Sequence, residues 1–257
     1  MKTTLNSPFE NRYVAFVDIL GFRDLIRRMP REPELFDIAR STLDQIDHQV
    51  RSFRDYRRQK RTGARSVLSR PDLQMSAFSD CYVVSGTAAW RVVAAVQALG
   101  ATLLTQSIAS RGAVVFGEAY HRGRVLFGPA IVKAYELERD VAKYPRVLVE
   151  AAVKNTVWNY HLGRWRGRLL QQDIDGCWFI NVLTPSLSNW QALPGNRSLQ
   201  NRRRFLRAIR GALKEQLSMQ RDERQLSKWM WLAHWFNEEV EDEADIEILD
   251  LTADDRG

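Results

Sequence analysis

Two short apolar segments each carry one aspartate where a carboxylate could bind a metal ion. The first, residues 13–22, reads Tyr-Val-Ala-Phe-Val-Asp-Ile-Leu-Gly-Phe, so Asp18 comes near the end of a predicted strand, just before a glycine turn. The second, residues 75–86, is predicted to be a hairpin with Ser79 and Asp80 at its tip. Carboxylates on neighbouring strand ends can share a divalent cation, because hard cations take oxygen ligands and often keep a substrate phosphate among them. This arrangement is typical of phosphoryl-transfer chemistry.

A purely structural role is the alternative for both aspartates. Aspartate often ends a strand and accepts hydrogen bonds from the local backbone, and that explanation would suffice for a single such residue. Two of them, in this order and beside a glycine turn, favour the metal site.

The composition is that of a globular protein with a sizeable core. Its 257 residues are 45% hydrophobic and 27% charged, which allows one large domain or two small ones. No apolar run reaches the roughly 18 residues of a membrane span, and residues 1–5 lack the apolar stretch of a signal peptide. Cys81 and Cys177 lie in apolar segments and are expected to be reduced, so we expect a cytoplasmic protein without a membrane partner.

The net charge of +7 favours a polyanionic partner, such as a nucleotide or a nucleic acid. Basic residues are concentrated in 51–70 and at 202–204, whereas 238–255 is acidic, and each run also fits an ordinary solvated face. Phe53 and Tyr56 lie among the basic residues of the first run, and aromatic rings between cations are typical of single-strand binding. A basic nucleotide- or RNA-binding module without catalysis is therefore the alternative function.

Periodicity predicts one α+β domain with a helical C-terminal extension. Strands are predicted at 13–20, 111–119 and 146–149, with hairpins at 73–85 and at 169–183 about the Asp175-Gly176 turn. Helices are predicted at 34–60, 88–108, 129–140, 201–219 and 222–239, and a loop at 61–71. The tryptophans of the last helix are expected to pack on the sheet or on a second subunit; they are Trp229, Trp231 and Trp235.

This order of elements resembles the class III nucleotide cyclases. Residues 16–22 are similar to that family's Phe-x-Asp-Ile-x-Gly-Phe, and residues 79–82 to its Gly-Asp-Cys-Tyr, with serine in place of glycine. A later strand opens with Arg111-Gly112, and 128–138 follow as Gly-Pro-Ala-Ile-Val-Lys-Ala-Tyr-Glu-Leu-Glu. The resemblance covers about residues 13–140. The later part and the overall size look most like the bacterial pyrimidine cyclases of the Pycsar anti-phage systems, which make cyclic UMP or cyclic CMP.

The resemblance implies a fold and a set of site residues. The fold would be a ferredoxin-like palm, an antiparallel-rich sheet flanked by helices, in a catalytic domain of residues 1–190 with residues 191–257 as a helical extension packed on it. Asp18, Asp80 and the backbone carbonyl of Ile19 would bind two divalent cations, Mn²⁺ or Mg²⁺, and Arg111 would be the third catalytic residue. The residues implied to contact the nucleotide are Phe16, the backbone amides of Leu20, Gly21 and Phe22, and the side chains of Ser76, Arg111 and Val125. A helix N-terminus suits phosphate independently, since its N–H groups are unpaired. A surface ion pair is the alternative role of Arg111.

Two departures from the family pattern bear on specificity and catalysis. Adenylate cyclases select adenine with a lysine and an aspartate, where this chain has Ser76 and Val125, so we expect another base. Where the family has an Asn-x-x-x-Arg pair, this chain has Val132 and Glu136. Either another cation replaces the missing arginine or the site is inactive. The candidates for that cation are Lys133, Arg124 and Lys143.

The implied function is that of a metal-dependent pyrimidine nucleotide cyclase. It would convert UTP (or CTP) to the 3′,5′-cyclic monophosphate and pyrophosphate, as a second messenger in anti-phage defence. Uracil is expected only because cyclic UMP is the commoner product of the family. A homodimer with active sites at the subunit interface and a separate effector activated by the cyclic nucleotide are also implied, and no stable nucleic-acid partner is expected.

Other catalytic classes lack their signatures. The histidines are scattered and no H-E-x-x-H motif joins them; they are His48, His121, His161 and His234. The sequence has no G-x-S-x-G and no P-loop lysine motif. His121, near the Gly123 turn, could contact a ligand, but a lone surface histidine is expected.

Overall fold

The chain folds as an α+β protein around one mixed, mostly antiparallel sheet of eight strands. The structure is a computed structural model that describes residues 8–37, 39–41, 44, 73–159, 169–184, 197–219, 222–243 and 245–251. The strands are β1 (Glu10–Ile19), β2 (Gln74–Phe78), β3 (Cys81–Gly86), β4 (Ser110–Arg122), β5 (Val125–Phe127), β6 (Val147–Val149), β7 (Leu170–Gln172) and β8 (Trp178–Ile180). The helices are α1 (Phe22–Arg28), α2 (Ala89–Leu104), α3 (Pro129–Val141), α4 (Ala151–Asn159), α5 (Arg197–Met219) and α6 (Glu223–Val240).

The strand order places β1 inside the sheet, between β3 and β4. That order is β2-β3-β1-β4-β6-β8-β7, with β5 paired to β4 off this path. β1 is antiparallel to both of its neighbours, whereas β4 and β6 are parallel. Since β1 ends where β3 and β4 begin, three strand ends meet at one edge. Asp18 lies at this edge, opposite Cys81 on one side and Arg111 on the other.

Helices cover both faces of the sheet. On one face α2, which is rich in alanine, valine and leucine, packs its buried side chains against β1 and β3, and α4 adds Val153 and Val157 to the same core. On the other face α3 packs Ala130 and Ala134 against Val14 of β1. Burying these apolar faces against each other supplies the main favourable term in folding.

The two C-terminal helices form a second core with the far half of the sheet. Leu148 of β6 and Phe179 of β8 share this core with Leu206 of α5 and Leu232 of α6. The expected packing of tryptophans on the sheet is confirmed: the ring centroid of Trp231 is 5.7 Å, and that of Trp235 5.0 Å, from that of Phe179. Among the described helices, none has the length and hydrophobicity that crossing a membrane requires.

Most of the predicted elements are confirmed, with shifted ends. The strands, both hairpins and the helices that follow residue 88 form where the pattern indicates, but α4 was not predicted. Residues 34–37, 39–41 and 44 are helical, as predicted. The rest of the 34–60 helix, the 61–71 loop and the basic run 51–70 lie outside the described residues. Both cysteines are free, as expected, although Cys177 precedes β8 instead of lying within it.

Candidate functional site

The backbone holds the two aspartates next to each other at the edge where β1 ends. Asp18 is the second-last residue of β1, and Asp80 lies in the two-residue turn between β2 and β3. The amide of Ile19 donates a hydrogen bond to the carbonyl of Asp80, with an N–O distance of 2.6 Å. Ser79 permits the tight turn by adopting φ +53°, a conformation unusual for a residue other than glycine. The sequence-predicted pair of carboxylates therefore shares one site.

The glycine turn after β1 leads directly into α1. Gly21 has φ +79°, a left-handed conformation that favours glycine, and its carbonyl accepts the amide of Leu25. The amide of Leu20 donates to the carbonyl of Ala109 at 2.9 Å, so a phosphate would have to compete with that bond. Of the three amides that the resemblance implies, those of Gly21 and Phe22 remain the better candidates. The Phe22 side chain itself is buried in the core.

Arg111 lies between two carboxylates. Its Nε atom is 3.5 Å from Oδ2 of Asp18 and 2.6 Å from Oε1 of Glu138, and its Nη1 donates to the carbonyl of Ala142 at 3.4 Å. The next residue, Gly112, lets β4 lie close to β1, because a Cβ atom on Gly112 would lie 2.3 Å from the carbonyl oxygen of Phe16. Arg111 thus forms ion pairs, as its alternative role expects, although its side chain is only 26% exposed.

Arg111 and Glu138 attract each other as opposite charges, but their contact lacks the geometry of a hydrogen bond. Both atoms of the 2.6 Å contact are buried, yet neither has a hydrogen-bond partner of acceptable geometry. Glu138 projects from the buried face of α3, one turn after Ala134. In the sequence, Glu138 is only the last residue of the segment 128–138 that resembles the cyclase motif, and no role was predicted for it.

Negative charge accumulates at this edge. Burial raises the pKa of Asp18 above its usual range; the nearby Arg111 opposes this rise and the charge of Asp80 adds to it. Burial likewise raises the pKa of Glu138, again against Arg111 and reinforced by Asp18. The pKa of the Cys81 thiol is raised by burial and then by Asp80, Asp18 and Glu138. A cation bound here would relieve all of these unfavourable interactions.

Lys228 of α6 is a cation that the sequence did not assign to the site. Burial lowers its pKa first, followed by the positive charges of Arg111 and Arg224, while Asp18 and Asp222 act in the opposite direction. It therefore lies within the electrostatic field of the aspartate edge. The sequence marks Lys228 only weakly, as a lysine that directly precedes Trp229 in an amphipathic helix.

All three cations proposed from the sequence are exposed, and Lys143 directly follows Ala142, whose carbonyl accepts from Arg111. Lys133 forms an ion pair with Glu150. The two positions that replace the family's Asn and Arg are also exposed, with Val132 at 55%.

Ser76, the expected base contact, belongs to a chain of hydrogen bonds. Its hydroxyl donates to the carbonyl of Gly123 at 2.8 Å, so it accepts the bond from Nε2 of His121 at 2.9 Å. Nδ1 of His121 then accepts from the hydroxyl of Ser85 at 2.8 Å, and Ser85 accepts from Nε of Arg12 at 3.0 Å. His121 is 2% exposed, so its expected surface position is wrong. The chain explains how a polar histidine can be buried here.

Two further residues that the resemblance implies as nucleotide contacts are Val125, on β5, and Phe16, which lies beside α3. Val125 of β5 is 57% exposed and two residues beyond Gly123. Phe16 of β1 is half-buried, and its ring lies edge-on to that of Tyr135, with centroids 5.5 Å apart. Ser76 shares a register row with Val83 and Phe16, two strands away, or about 10 Å at the usual strand spacing.

The chemistry of the donor set fits a hard divalent cation. Within the described ranges no three His, Cys, Asp or Glu side chains form a metal-binding group. Asp18 and Asp80 are two carboxylates, and Mg²⁺ is commonly held by one or two carboxylates together with substrate phosphates. No known protein-family model and no curated protein matches the chain. The function is therefore inferred from the arrangement of Asp18, Asp80 and Arg111.

Proposed function

We propose that this protein is a metal-dependent pyrimidine nucleotide cyclase of the class III type, which converts UTP (or CTP) to the 3′,5′-cyclic monophosphate and pyrophosphate. One observation carries the proposal. Asp18 and Asp80 lie on adjoining strand ends, tied by the 2.6 Å bond from Ile19, with the guanidinium of Arg111 opposite Asp18. Two acidic side chains and an arginine at one edge suit a polyphosphate with its metal ions.

The topology supports the same proposal. The order β2-β3-β1-β4, with α1 following β1 and α2 joining β3 to β4, is that of two interleaved βαβ units. The ferredoxin-like palm that the resemblance to class III cyclases implies would have the same strand order, and this agreement supports the proposal. The C-terminal helices are an addition to it.

Asp18, Asp80 and the carbonyl of Ile19 would hold two Mn²⁺ or Mg²⁺ ions. These ions, when bound, supply Lewis-acid stabilisation of phosphate charge and lower the pKa of the ribose 3′-hydroxyl. The amides of Gly21 and Phe22 bind phosphate oxygens, and Arg111 balances the negative charge that collects on them.

The reaction is an intramolecular phosphoryl transfer. The ribose 3′-oxygen forms a bond to the α-phosphorus and gives its proton to solvent. The bond between the α-phosphorus and the bridging oxygen breaks, and pyrophosphate leaves with that electron pair. The chain contributes by orienting the two ends of the substrate, since positioning and charge stabilisation account for most of such catalysis.

A head-to-tail homodimer follows from this assignment. The aspartates of one subunit would face the surface around Val125 of the other, where the base is held across the interface, while the Ser76 hydroxyl stays bonded to Gly123 and His121. Exposed apolar side chains near these positions are consistent with a partner surface; they are Val125, Phe127, Val132 and Tyr135. We place the enzyme in the cytoplasm, with its product acting on a separate effector in anti-phage defence.

Product analysis tests the proposal. Purified protein is incubated with ATP, GTP, CTP and UTP in the presence of Mn²⁺, and products are identified by mass. One cyclic pyrimidine monophosphate is expected, lost in Asp18→Ala and Asp80→Ala but kept in Asp37→Ala, which changes an exposed aspartate. Full activity in either of the first two variants would refute the assignment. Absence of any product, with salt-sensitive binding of an oligonucleotide, would favour the non-catalytic RNA-binding alternative.

A further inference from the structure

Lys228 is held near the aspartate edge without a partner of its own. It is half-buried on α6 and makes no hydrogen bond or ion-pair contact with another described residue. A partly buried ammonium group usually finds a counter-ion, because taking the charge out of water is costly. Its position therefore calls for an anion that the described part of the chain does not supply.

The helix that carries Lys228 is fixed in place. The side chain of Asp222 caps its first turn, accepting from the amide of Arg224 at 2.7 Å. Further along, the indole nitrogen of Trp231 donates to Asp173 at 3.1 Å, and that of Trp235 donates to Gln171 at 2.8 Å. The cap and the two indole bonds anchor the helix, so the backbone of Lys228 has a constant position.

Packing brings that helix to the start of β4. Leu232 and Trp235 line a small cavity together with Ala109 and Ser110, the two residues that precede Arg111. Lys228 lies one turn before Leu232 on the same helix face. Leu20, two residues after Asp18, packs against this same core. Lys228 and Arg111 thus approach the aspartate edge from two different elements.

The charges of these two cations are complementary to a polyphosphate. The positive charges of Lys228 and Arg111 repel each other, while Asp18 attracts both. An anion with several charges, placed between them with its metal ions on Asp18, would satisfy both cations. By contrast Lys133, the proposed cation of α3, is already paired with Glu150.

We propose that Lys228 is a phosphate-binding residue that contacts the terminal phosphates of the nucleoside triphosphate, so that the C-terminal helix completes the active site. The inference rests on the proposed function and deepens it. It assigns to α6 the cation that the exposed Val132 and Glu136 positions of α3 do not provide. Pyrophosphate, the leaving group, would be stabilised by the same ammonium group.

The test is binding of inorganic tripolyphosphate in the presence of Mn²⁺, measured by calorimetry on the full chain. The variants are Lys228→Gln, Lys228→Arg and, as a matched control, Lys214→Gln, which removes an exposed lysine from α5. Losing a charged hydrogen bond should weaken binding by about ten- to a hundredfold in Lys228→Gln, whereas Lys228→Arg and Lys214→Gln should stay near the wild-type affinity. Thermal unfolding without ligand checks that each variant is folded.

The outcomes separate this inference from the proposed function. If the wild type binds tripolyphosphate and makes a cyclic nucleotide, but Lys228→Gln binds as tightly as the wild type, the role of Lys228 is refuted and the cyclase assignment stands. If Lys228→Gln and Lys214→Gln lose the same affinity, the effect is one of net charge and the role is again refuted. If the wild type binds no tripolyphosphate with Mn²⁺ and yields no product, both proposals fail.

Discussion

Arg111 and Glu138 meet with their Nε and Oε1 atoms 2.6 Å apart, at a site where the Glu138 side chain is only 4% exposed. Their hydrogen-bond geometry is poor, so charge holds the pair together. Asp18 lies 3.5 Å from the same Nε atom. One guanidinium therefore balances two carboxylates, and both carboxyl groups nevertheless keep a raised pKa because burial dominates.

Arg111→Met should lower the free energy of unfolding at pH 7 by about 1–3 kcal/mol, since it leaves Asp18 and Glu138 without their cation. The pKa of each carboxyl, already raised by burial, would rise further. A carboxylate whose folded pKa exceeds its unfolded pKa destabilises the protein above the folded value, and this loss fades as the pH falls towards the unfolded value of about 4. Urea titrations at pH 7 and at lower pH measure it.

Arg139→Met is the matched control for that prediction, because Arg139 is an exposed residue of α3 that pairs with its neighbour Asp140. Exposed pairs contribute little to stability. A loss in Arg111→Met that is the same at every pH, or no larger than in Arg139→Met, would contradict the charge-balancing role.

Asp18→Asn should stabilise the metal-free protein at neutral pH. Burial, opposed by Arg111 and assisted by Asp80, raises the pKa of Asp18, so its ionised form is unfavourable in the folded state. The gain should shrink as the pH falls through that raised pKa towards about 4. Added Mn²⁺ should raise the Tm of the wild type and of Asp37→Asn but not that of Asp18→Asn. A metal-free Asp18→Asn that is less stable than the wild type at pH 7 would disprove the prediction.

Local patterns could predict the aspartates, but not their neighbours. Asp18 and Asp80 depend on an apolar strand, a glycine turn and a hairpin, all of which are contiguous in the sequence. Packing of α3 on the sheet brings Glu138 to Arg111, and packing of α6 brings Lys228 into the electrostatic field of Asp18. Periodicity says which face of a helix is buried but not what that face contacts. α4 was missed because only Val153 and Val157, one turn apart, mark its buried face.

Ser76 is a second residue whose contacts the sequence could not predict. Its place in the motif predicts a contact with the base, but its hydroxyl is hydrogen-bonded to Gly123 and His121. Ser76→Ala removes the hydrogen bonds that the Ser76 hydroxyl makes with Nε2 of His121 and with the carbonyl of Gly123, and should cost about 1–3 kcal/mol. The Ser76 hydroxyl has donated its proton to Gly123, so the ratio of UTP to CTP turnover should stay within about twofold of the wild type. Urea unfolding and product analysis measure the two effects.

The control for Ser76→Ala is Ser227→Ala, whose exposed hydroxyl only bonds back to its own helix at Arg224. It should change stability by less than about 0.5 kcal/mol. A Ser76→Ala protein that keeps its stability but changes its base preference would show that the hydroxyl faces the substrate and not His121.

Arg146 fastens the hairpin of β7 and β8 to α6, and removing it should cost about 3 kcal/mol. Its buried guanidinium bonds to Asp173 and Asp175 and lies over the ring of Trp231, with 5.7 Å to the centroid. Arg146→Met leaves Asp173, whose side chain is 11% exposed, without its cation, and breaking a buried pair is far more destabilising than losing an exposed one. The Arg146 hydrogen bond chiefly lowers the pKa of Asp175, so this contribution is present above the usual carboxyl pKa and is lost as the pH falls through the lowered value. Urea unfolding followed by tryptophan fluorescence should show this loss in Arg146→Met but not in Arg203→Met, which breaks the exposed ion pair of Arg203 with Asp245. Equal losses in the two variants would mean that the buried Arg146 contacts stabilise the fold no more than an exposed pair does.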